Sequence, residues 1–197
     1  MDLSNKEQVR KVVKGCKSGN QQSQRILYEA LYNKMLGVCM RYSSDPNEAK
    51  DLVQDGFIKV FKKIKTYNYR GSLEGWIRRL IVNNAIDQLR KKQKMLYSFE
   101  EESGINNMED TGTVETEEKK LLQLKAETLV RLIQKLSPVY RTVFNMYVVE
   151  NMSHKEIAER LNISIGSSKS NLSKAKVRLR KLYYEDIEKY DDRKNKI

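Results

Sequence analysis

The chain has 197 residues, of which 38 are Lys or Arg and 26 are Asp or Glu, so its formal net charge is +12. This length suffices for one or two small domains, and the surplus of positive charge favours a polyanionic partner over a basic protein that is merely soluble. No apolar run approaches membrane-spanning length and the N-terminus lacks an apolar signal segment, so we expect a cytoplasmic protein.

Two Pro and nine Gly leave long stretches uninterrupted, which predicts an all-α fold. The first helical pattern lies around Lys6 to Lys17, and the second runs from about Gln21 to Tyr42. Asp45 and Pro46 are typical of an N-cap followed by the first residue of a third helix. The predicted inward side of this third helix consists of Val53, Phe57, Val60, Phe61 and Ile64.

A loop from Tyr67 to Gly71 separates the third helix from a fourth, for which Ser72 is the predicted cap. The apolar side of the fourth helix consists of Trp76, Ile77, Leu80, Ile81, Ala85 and Leu89. Another side carries polar residues at helical spacing, namely Arg79, Asn83, Asp87, Arg90 and Lys94. Because Trp76 falls on the apolar side, we expect it to belong to the core.

Charge changes sharply after this module. Residues 99–118 contain eight acidic and no basic side chains, whereas residues 1–98 contain twenty basic and nine acidic ones. Ser103-Gly104 and Thr111-Gly112-Thr113 disfavour regular structure within the acidic stretch. It is therefore predicted to be a flexible linker, either a plain solvated tether or a shield for basic surfaces.

A second helical module is predicted from residue 119 to residue 197. Ser137 and Pro138 are typical of an N-cap and a first helical residue, and open a helix that ends near Glu150. Ser153 and Glu156 then form an S-x-x-E capping box at the start of the next helix. A short turn follows, in which Asn162 can end that helix and Ser164 can cap another.

This arrangement is typical of a helix-turn-helix, which places its second helix in the DNA major groove. The predicted inward side of that helix consists of Ile165, Leu172, Ala175, Leu179 and Leu182. Its other sides carry Lys and small hydroxyl side chains, a composition that also occurs on ordinary solvated faces. The mixed-charge tail after Tyr184 is expected to fray.

Three motifs occur in an informative order: Asp51-Leu52-Val53-Gln54-Asp55-Gly56-Phe57, then Trp76…Asn84…Asp87…Arg90, then the helix-turn-helix. Together they resemble a bacterial RNA polymerase sigma factor of the sigma-70 family, of the short extracytoplasmic-function (ECF) type. The resemblance implies a region 2 domain at residues 1–98, a linker at 99–118 and a region 4 domain at 119–197. It also implies a transcription initiation factor that binds core RNA polymerase, directs it to promoters and helps to melt the minus-ten DNA.

Roles for individual residues follow from the same resemblance. The polymerase-binding residues would be Asp51, Gln54 and Asp55, whose acceptor atoms suit an Arg-rich partner, although a solvated carboxylate pair would look the same. The residues for minus-ten DNA would be Tyr67, Asn68, Tyr69, Arg79, Asn83, Asn84, Asp87, Arg90, Lys91 and Lys94. Asn84 lies nearer the inward side, so it could instead satisfy a buried backbone group.

The minus-thirty-five element would be bound by Ser167, Ser168, Lys169, Ser170, Ser173 and Lys174. Family members often carry Arg at some of these positions, and Lys forms a poorer bidentate contact with guanine. Base recognition is therefore expected to be less specific, with more phosphate contact and recognition of DNA shape. The implied partners are core polymerase, promoter DNA and a cognate anti-sigma factor.

Two other classes of function remain open. A helix-turn-helix regulator that acts without polymerase would account for the second module but leave the Asp51, Gln54 and Asp55 side chains without a role. A nucleic-acid enzyme is disfavoured because His154 is the only histidine and no metal-ligand cluster or phosphate-binding Gly loop occurs. We therefore expect no enzymatic activity, no cofactor and no metal.

Overall fold

A computed structural model of the chain describes the backbone of residues 1–97 and 126–194, and the side chains of residues 1–91 and 128–187. Regular structure in those ranges is helical throughout, which confirms the all-α prediction. The chain divides into two compact units, Met1–Lys91 and Lys92–Ile197. The predicted acidic linker at residues 99–118 lies outside the described residues.

The first unit contains three complete helices, a fourth helix as far as Lys91, and one short turn of 3-10 helix. The helices are α1 (Lys6–Lys17), α2 (Gln21–Met40), α3 (Pro46–Lys63) and α4 (Leu73–Tyr97), and the 3-10 turn (Ile64–Thr66) directly follows α3. All four helices lie close to their predicted positions, because the turn and cap residues between them are strong local signals.

Asp45 caps α3 as predicted. Its carboxylate accepts hydrogen bonds from the backbone N–H groups of Asn47 and Glu48 at 2.8 and 3.0 Å. Both bonds lower the pKa of the Asp45 carboxyl, and the bond from Glu48 has the larger effect. The carboxylate of Glu48 accepts hydrogen bonds from the N–H and the hydroxyl of Ser44, each at 2.6 Å.

The core of the first unit forms where α2 packs against both α1 and α3. The ring of Phe57 meets Tyr28 edge to face at a centroid distance of 4.7 Å. On the predicted inward sides of α3 and α4, most residues are buried, whereas Phe61, Trp76 and Leu80 are half-buried. Burial of these apolar side chains supplies the main driving force for the fold.

Helices α3 and α4 approach each other closely at Gly56. A Cβ atom added to Gly56 would lie 2.8 Å from Cγ1 of Ile81, which is fully buried. Nearby, the side-chain amide of Asn84 points to the carbonyl oxygen of Leu52 with an N–O distance of 3.4 Å. The absence of a side chain at Gly56 therefore sets the spacing of the two helices.

The second unit also contains four helices among its described residues. These are α5 (Ala126–Gln134), α6 (Pro138–Phe144), α7 (His154–Leu161) and α8 (Ile165–Lys194), with a π-helical turn (Asn145–Val149) directly after α6. Helix α8 packs against the other three. The helix expected to extend to about Glu150 thus exists, but its last part widens into a π-helical turn with Asn145 and Met146 buried.

Helix α8 continues past Tyr184, where the mixed-charge tail was predicted to fray, as far as Lys194. Arg131 of α5 forms a bidentate ion pair with Asp186 of α8, with N–O distances of 2.8 and 2.6 Å. The pairing of the two residues across 55 positions of sequence cannot be inferred from local charge composition.

The close approach at Gly56 predicts that Gly56→Ala destabilises the first unit. Overpacking against buried Ile81 should outweigh the gain in helix propensity and lower the free energy of unfolding by about 1–2 kcal/mol. Denaturant unfolding followed by the fluorescence of Trp76, the only tryptophan, measures this effect.

Gly37→Ala is the matched control, because Gly37 lies in α2 and a Cβ atom added to it would meet nothing within 4 Å. It should stabilise the same unit by roughly 0.5–1 kcal/mol. Equal effects of the two substitutions would contradict the assigned contact between α3 and α4.

Candidate nucleic-acid interface

The turn between α7 and α8 is fixed by three local interactions. Ser153 and Glu156 form the predicted capping box at the start of α7. Asn162 ends that helix in the left-handed conformation, with φ 57° and ψ 48°, which Asn tolerates better than most residues. The hydroxyl of Ser164 accepts a hydrogen bond from the N–H of Ser167 at 2.9 Å and so caps α8. The predicted helix-turn-helix geometry is therefore present.

The outer face of α8 carries most of the residues that the sequence assigned to the minus-thirty-five element. Ser167, Lys169, Ser170 and Ser173 are exposed and Lys174 is half-buried. These side chains form a hydroxyl-rich, positively charged surface on the second helix of the motif, where base edges and phosphates are contacted in such folds.

Two predictions about this helix need correction. Ile165, expected in the inward stripe, is 48% exposed, whereas Ser168, expected to face DNA, is fully buried. The buried side of α8 thus begins at Ser168 and continues through Leu172 and Ala175. Because Ser168 faces inward, its side chain lies outside the exposed surface that could contact a base.

Ser168 instead bonds with the single histidine of the chain. Its hydroxyl lies 2.9 Å from Nδ1 of His154, the first residue of α7. The imidazole also stacks on Tyr147 of the π-helical turn, with a centroid distance of 4.6 Å and an interplanar angle of 24°. His154 therefore connects three elements behind the outer face of α8. Burial, followed by the charges of Lys169 and Lys176, lowers its pKa.

A separate acidic face lies on α3 in the first unit. Asp51, Gln54 and Asp55 are all exposed there, as their expected contact with a protein partner requires. Asp55 also accepts a hydrogen bond from the amide of Gln88 in α4 at 3.1 Å. This face presents acceptor atoms to a partner rich in donors.

The loop Tyr67–Gly71 is held by hydrogen bonds of its own. Tyr67 is only 3% exposed, and its phenolic hydroxyl donates to the carbonyl oxygen of Gly71 at 3.0 Å. Its expected contact with DNA bases therefore needs correction, since the side chain closes the loop from inside. Tyr67 also packs against half-buried Trp76, with a centroid distance of 5.3 Å. Trp76 thus supports the loop.

Tyr69 is the exposed aromatic residue of this loop. It is 42% exposed and has a φ of 63°, in the left-handed region that costs a non-glycine residue roughly 1–2 kcal/mol. Asn68 is also exposed, and its side-chain oxygen accepts the N–H of Arg70 at 3.2 Å. A strained residue kept on the surface is a feature often found at functional sites.

Along α4, the residues expected near minus-ten DNA differ in their surroundings. Arg79, Arg90 and Lys91 are exposed, whereas Asn83 and Asp87 are half-buried. Asp87 lies 3.7 Å from the ammonium group of Lys59 in α3, which offsets its negative charge. The exposed part of this face is therefore basic and suits a phosphate backbone.

One further residue on α4, Asn84, lies outside that surface. Asn84 is 1% exposed and its amide points to Leu52 of α3, so the alternative of a buried backbone contact agrees with its position and a contact with DNA does not. The side chain of Lys94 lies outside the described residues.

One residue that contacts the loop could not be identified from the sequence. Lys17, the last residue of α1, donates from its ammonium group to the carbonyl oxygen of Tyr67 at 2.7 Å. The same nitrogen lies 4.9 Å from the centre of the Tyr69 ring. The contact joins residues 50 positions apart, so no local pattern reveals it. The sequence does contain a signal for the role of His154, because this residue is the only histidine of the chain and lies at the start of a helix.

The residues that the structure describes contain neither a metal-binding cluster nor a membrane-spanning helix. Across that part of the chain, no cluster of three or more His, Cys, Asp or Glu side chains could hold a metal ion. No helix within the same ranges is long and apolar enough to cross a membrane.

A capped helix-turn-helix with a basic outer face defines a DNA-binding protein. The family model for sigma-70 region 2 matches residues 27–95, and that for sigma-70 region 4 matches residues 126–179. The ECF RNA polymerase sigma factor SigW of Bacillus subtilis (strain 168) is 27% identical over 178 residues, covering 88% of this chain and 95% of SigW. The chain therefore belongs to the sigma-70 family, as a sigma factor of the ECF type that directs RNA polymerase to promoters.

Two other proteins are similar at lower levels. The ECF RNA polymerase sigma-E factor of Haemophilus influenzae (strain ATCC 51907 / DSM 11121 / KW20 / Rd) is 25% identical, covering 84% of this chain and 89% of that protein. A solved structure of the sigma factor RpoE in complex with the anti-sigma factor NepR, from Bartonella quintana, is 21% identical with a TM-score of 0.41. It covers 81% of this chain and 96% of that one.

The environment of His154 predicts a loss of stability in acid. Since its pKa is lowered in the folded state, the unfolded chain binds a proton more readily as the pH falls below about 6.5. The stabilisation is complete above that pH and is lost as the pH falls through the lowered pKa. Titration of the imidazole protons by NMR reports this pKa without ambiguity, because the chain has one histidine.

His154→Gln supplies the control for this effect. Denaturant unfolding followed by circular dichroism should show a smaller decrease in stability between about pH 7.5 and pH 5.5 for the variant than for the original chain. Identical decreases would exclude His154 as the titrating group.

Proposed function

We propose that this sigma factor takes part in melting the minus-ten DNA as well as in finding the promoter. The first unit would bind core polymerase through α3 and capture an unpaired minus-ten base with the loop Tyr67–Gly71. The basic side of α4 would hold the adjacent phosphates, and the outer face of α8 would bind the minus-thirty-five element. Residues 1–98 and 119–197 would thus be the functional domains, joined by the linker at 99–118.

The exposed ring of Tyr69 carries the proposal for melting. A base released from the duplex needs a surface on which to stack, and aromatic side chains supply one for any base. Tyr69 is exposed while Tyr67 and Trp76 pack behind it, with a centroid distance of 5.2 Å between the rings of Tyr67 and Tyr69. The ring is therefore available without prior rearrangement of the loop.

The polymerase contact is proposed for Asp51, Gln54 and Asp55. All three side chains are exposed on α3, and the two carboxylates lie one helical turn apart. Carboxylates of this kind form strong charge-assisted hydrogen bonds with Arg side chains. In the same first unit, Arg79, Arg90 and Lys91 provide the positive charge suited to DNA. The polymerase would thus meet the acidic face of α3 and the DNA would meet the basic face of α4.

The minus-thirty-five contact is proposed for Ser167, Lys169, Ser170, Ser173 and Lys174, without the buried Ser168. Lys side chains bind phosphates readily but read guanine less sharply than Arg, so we expect a large electrostatic share in this contact. A cognate anti-sigma factor is a further proposed partner, and the cytoplasm, where polymerase and promoter DNA meet, is the proposed site of action.

Reconstitution with core polymerase tests the whole proposal. The full chain with its host's core enzyme should start transcription at a defined position, and permanganate should react with thymines of the opened minus-ten region. The variant carrying Asp51→Lys and Asp55→Lys should bind core polymerase at least roughly tenfold more weakly, because two attractive contacts become repulsive.

A variant with Glu7→Lys and Glu29→Lys is the control for this change of charge. Both residues are exposed in the same unit and lie on other helices, so core binding should stay close to that of the original chain. Equal binding by both double variants would refute the α3 assignment. Tight duplex binding without initiation on any genomic template would favour a regulator that acts without polymerase.

The salt dependence of promoter binding tests the α8 assignment. Lys169→Ala and Lys174→Ala should each lower the slope of log affinity against log salt by about one, since each removes one phosphate contact. Footprints over the minus-thirty-five region should weaken in parallel. Lys135→Ala, at an exposed position just after α5, should change neither measurement. Unchanged slopes for the first two variants would place the DNA on another surface.

A further inference from the structure

We propose that Lys17 is a positioning residue for base capture, which it serves by holding Tyr69 in its strained, exposed conformation. This inference rests on the proposed role of the loop Tyr67–Gly71. Lys17 lies in α1, outside residues 27–95 that match the region 2 family model. Its ammonium group contacts two parts of the loop: the carbonyl oxygen of Tyr67 and the ring of Tyr69.

The position of Lys17 is itself fixed. The preceding turn of α1 buries Val13 and Cys16, and α1 packs against the 3-10 turn Ile64–Thr66 that leads into the loop. Lys17 is half-buried, so its side chain has fewer accessible rotamers than a fully exposed lysine. As the last residue of α1 it also places its positive charge at the negative end of the helix dipole.

The contact with Lys17 adds a restraint that the hydrogen bonds within the loop do not supply. Tyr69 has a left-handed φ of 63°, and its neighbours supply the hydrogen bond from Arg70 N–H to Asn68 and that from the Tyr67 hydroxyl to Gly71. Those bonds close the backbone but do not themselves fix the direction of the Tyr69 ring, which the Tyr67 ring contacts at a centroid distance of 5.2 Å. A cation held 4.9 Å from the ring centre restricts that direction through its attraction to the π electrons.

The same geometry distinguishes this role from a contact with DNA phosphate. The Lys17 ammonium group is 2.7 Å from a carbonyl oxygen and is engaged with the ring at the same time. A phosphate would have to compete with both contacts. We therefore expect Lys17 to affect the capture of an unpaired base while leaving duplex binding and its salt dependence unchanged.

The test uses the full chain with its host's core polymerase and a promoter fork with an unpaired minus-ten strand. That strand carries 2-aminopurine at one position at a time, and its fluorescence falls when the base stacks on an aromatic ring. Lys17→Met should lower the equilibrium constant for this quenching roughly threefold to tenfold. Lys17→Arg, which retains the charge and the donors, should restore most of the loss.

Lys14→Met is the matched control, because Lys14 is an exposed residue in the same last turn of α1 and the variant loses the same charge. It should leave the quenching unchanged. Trp76 fluorescence of the free protein reports whether the first unit is folded. Lys17→Gln provides a second neutral variant should Lys17→Met unfold it.

Tyr69→Ala separates failure of this inference from failure of the proposed function. Loss of quenching with Tyr69→Ala but not with the neutral Lys17 variants would overturn the role of Lys17 alone. No loss with either would overturn base capture by the loop and the role of Lys17 together. A lower salt slope on fully duplex DNA with Lys17→Met would make Lys17 a phosphate contact and also overturn the inference.

Discussion

The contact between Gly56 and Ile81 determines how the first unit presents its candidate binding surfaces. Helix α3 carries the acidic face and α4 carries the basic one, and the loop Tyr67–Gly71 joins them. Because a side chain at Gly56 would collide with buried Ile81, the two helices can pack closely only with glycine at this position. That spacing also allows Gln88 to reach Asp55 and Asp87 to reach Lys59. Packing in the core thus places both charged faces and fixes the ends of the loop between them.

Buried polar side chains behind the surface help to define each candidate interface. The Tyr67 hydroxyl closes the loop beneath Tyr69, Asn84 lies between α3 and α4, and Ser168 connects α8 to His154. A buried polar group is costly without a partner, so such bonds favour one arrangement of the elements over others of similar apolar packing. Tyr67, Asn84 and Ser168 all resemble DNA-binding positions when judged by residue type alone. Because they are buried, they support the surface residues from within the fold and do not form part of the surface.

Local signals in the sequence predicted the helix starts and the turn well. Asp45, Ser153 and Asn162 act through their own backbone neighbours, so their roles follow from residue type and spacing. The orientation of the first turn of α8 did not follow, because Ile165 is apolar, whereas Ser168, which lies four residues before Leu172 and seven before Ala175, carries a polar side chain. The bond with His154 offsets the cost of burying a hydroxyl and brings Ser168 inward. Tertiary contacts of this kind, like that between Arg131 and Asp186, join residues too far apart for a periodic pattern to reveal.

The two units prepare their candidate DNA surfaces in different physical ways, and the difference suits the state of the DNA that each would meet. Duplex DNA presents a regular groove, so a helix held by caps and a buried hydrogen bond can bind it with little adjustment. An unpaired base leaves its stack at a cost of a few kcal/mol, and an aromatic ring that is already exposed recovers part of that cost on contact. Keeping Tyr69 exposed requires a backbone conformation that is unfavourable for tyrosine, which the surrounding contacts must stabilise. If the loop captures a base as proposed, the helix that supplies Lys17 would extend the functional part of the first unit beyond the residues that match the family model.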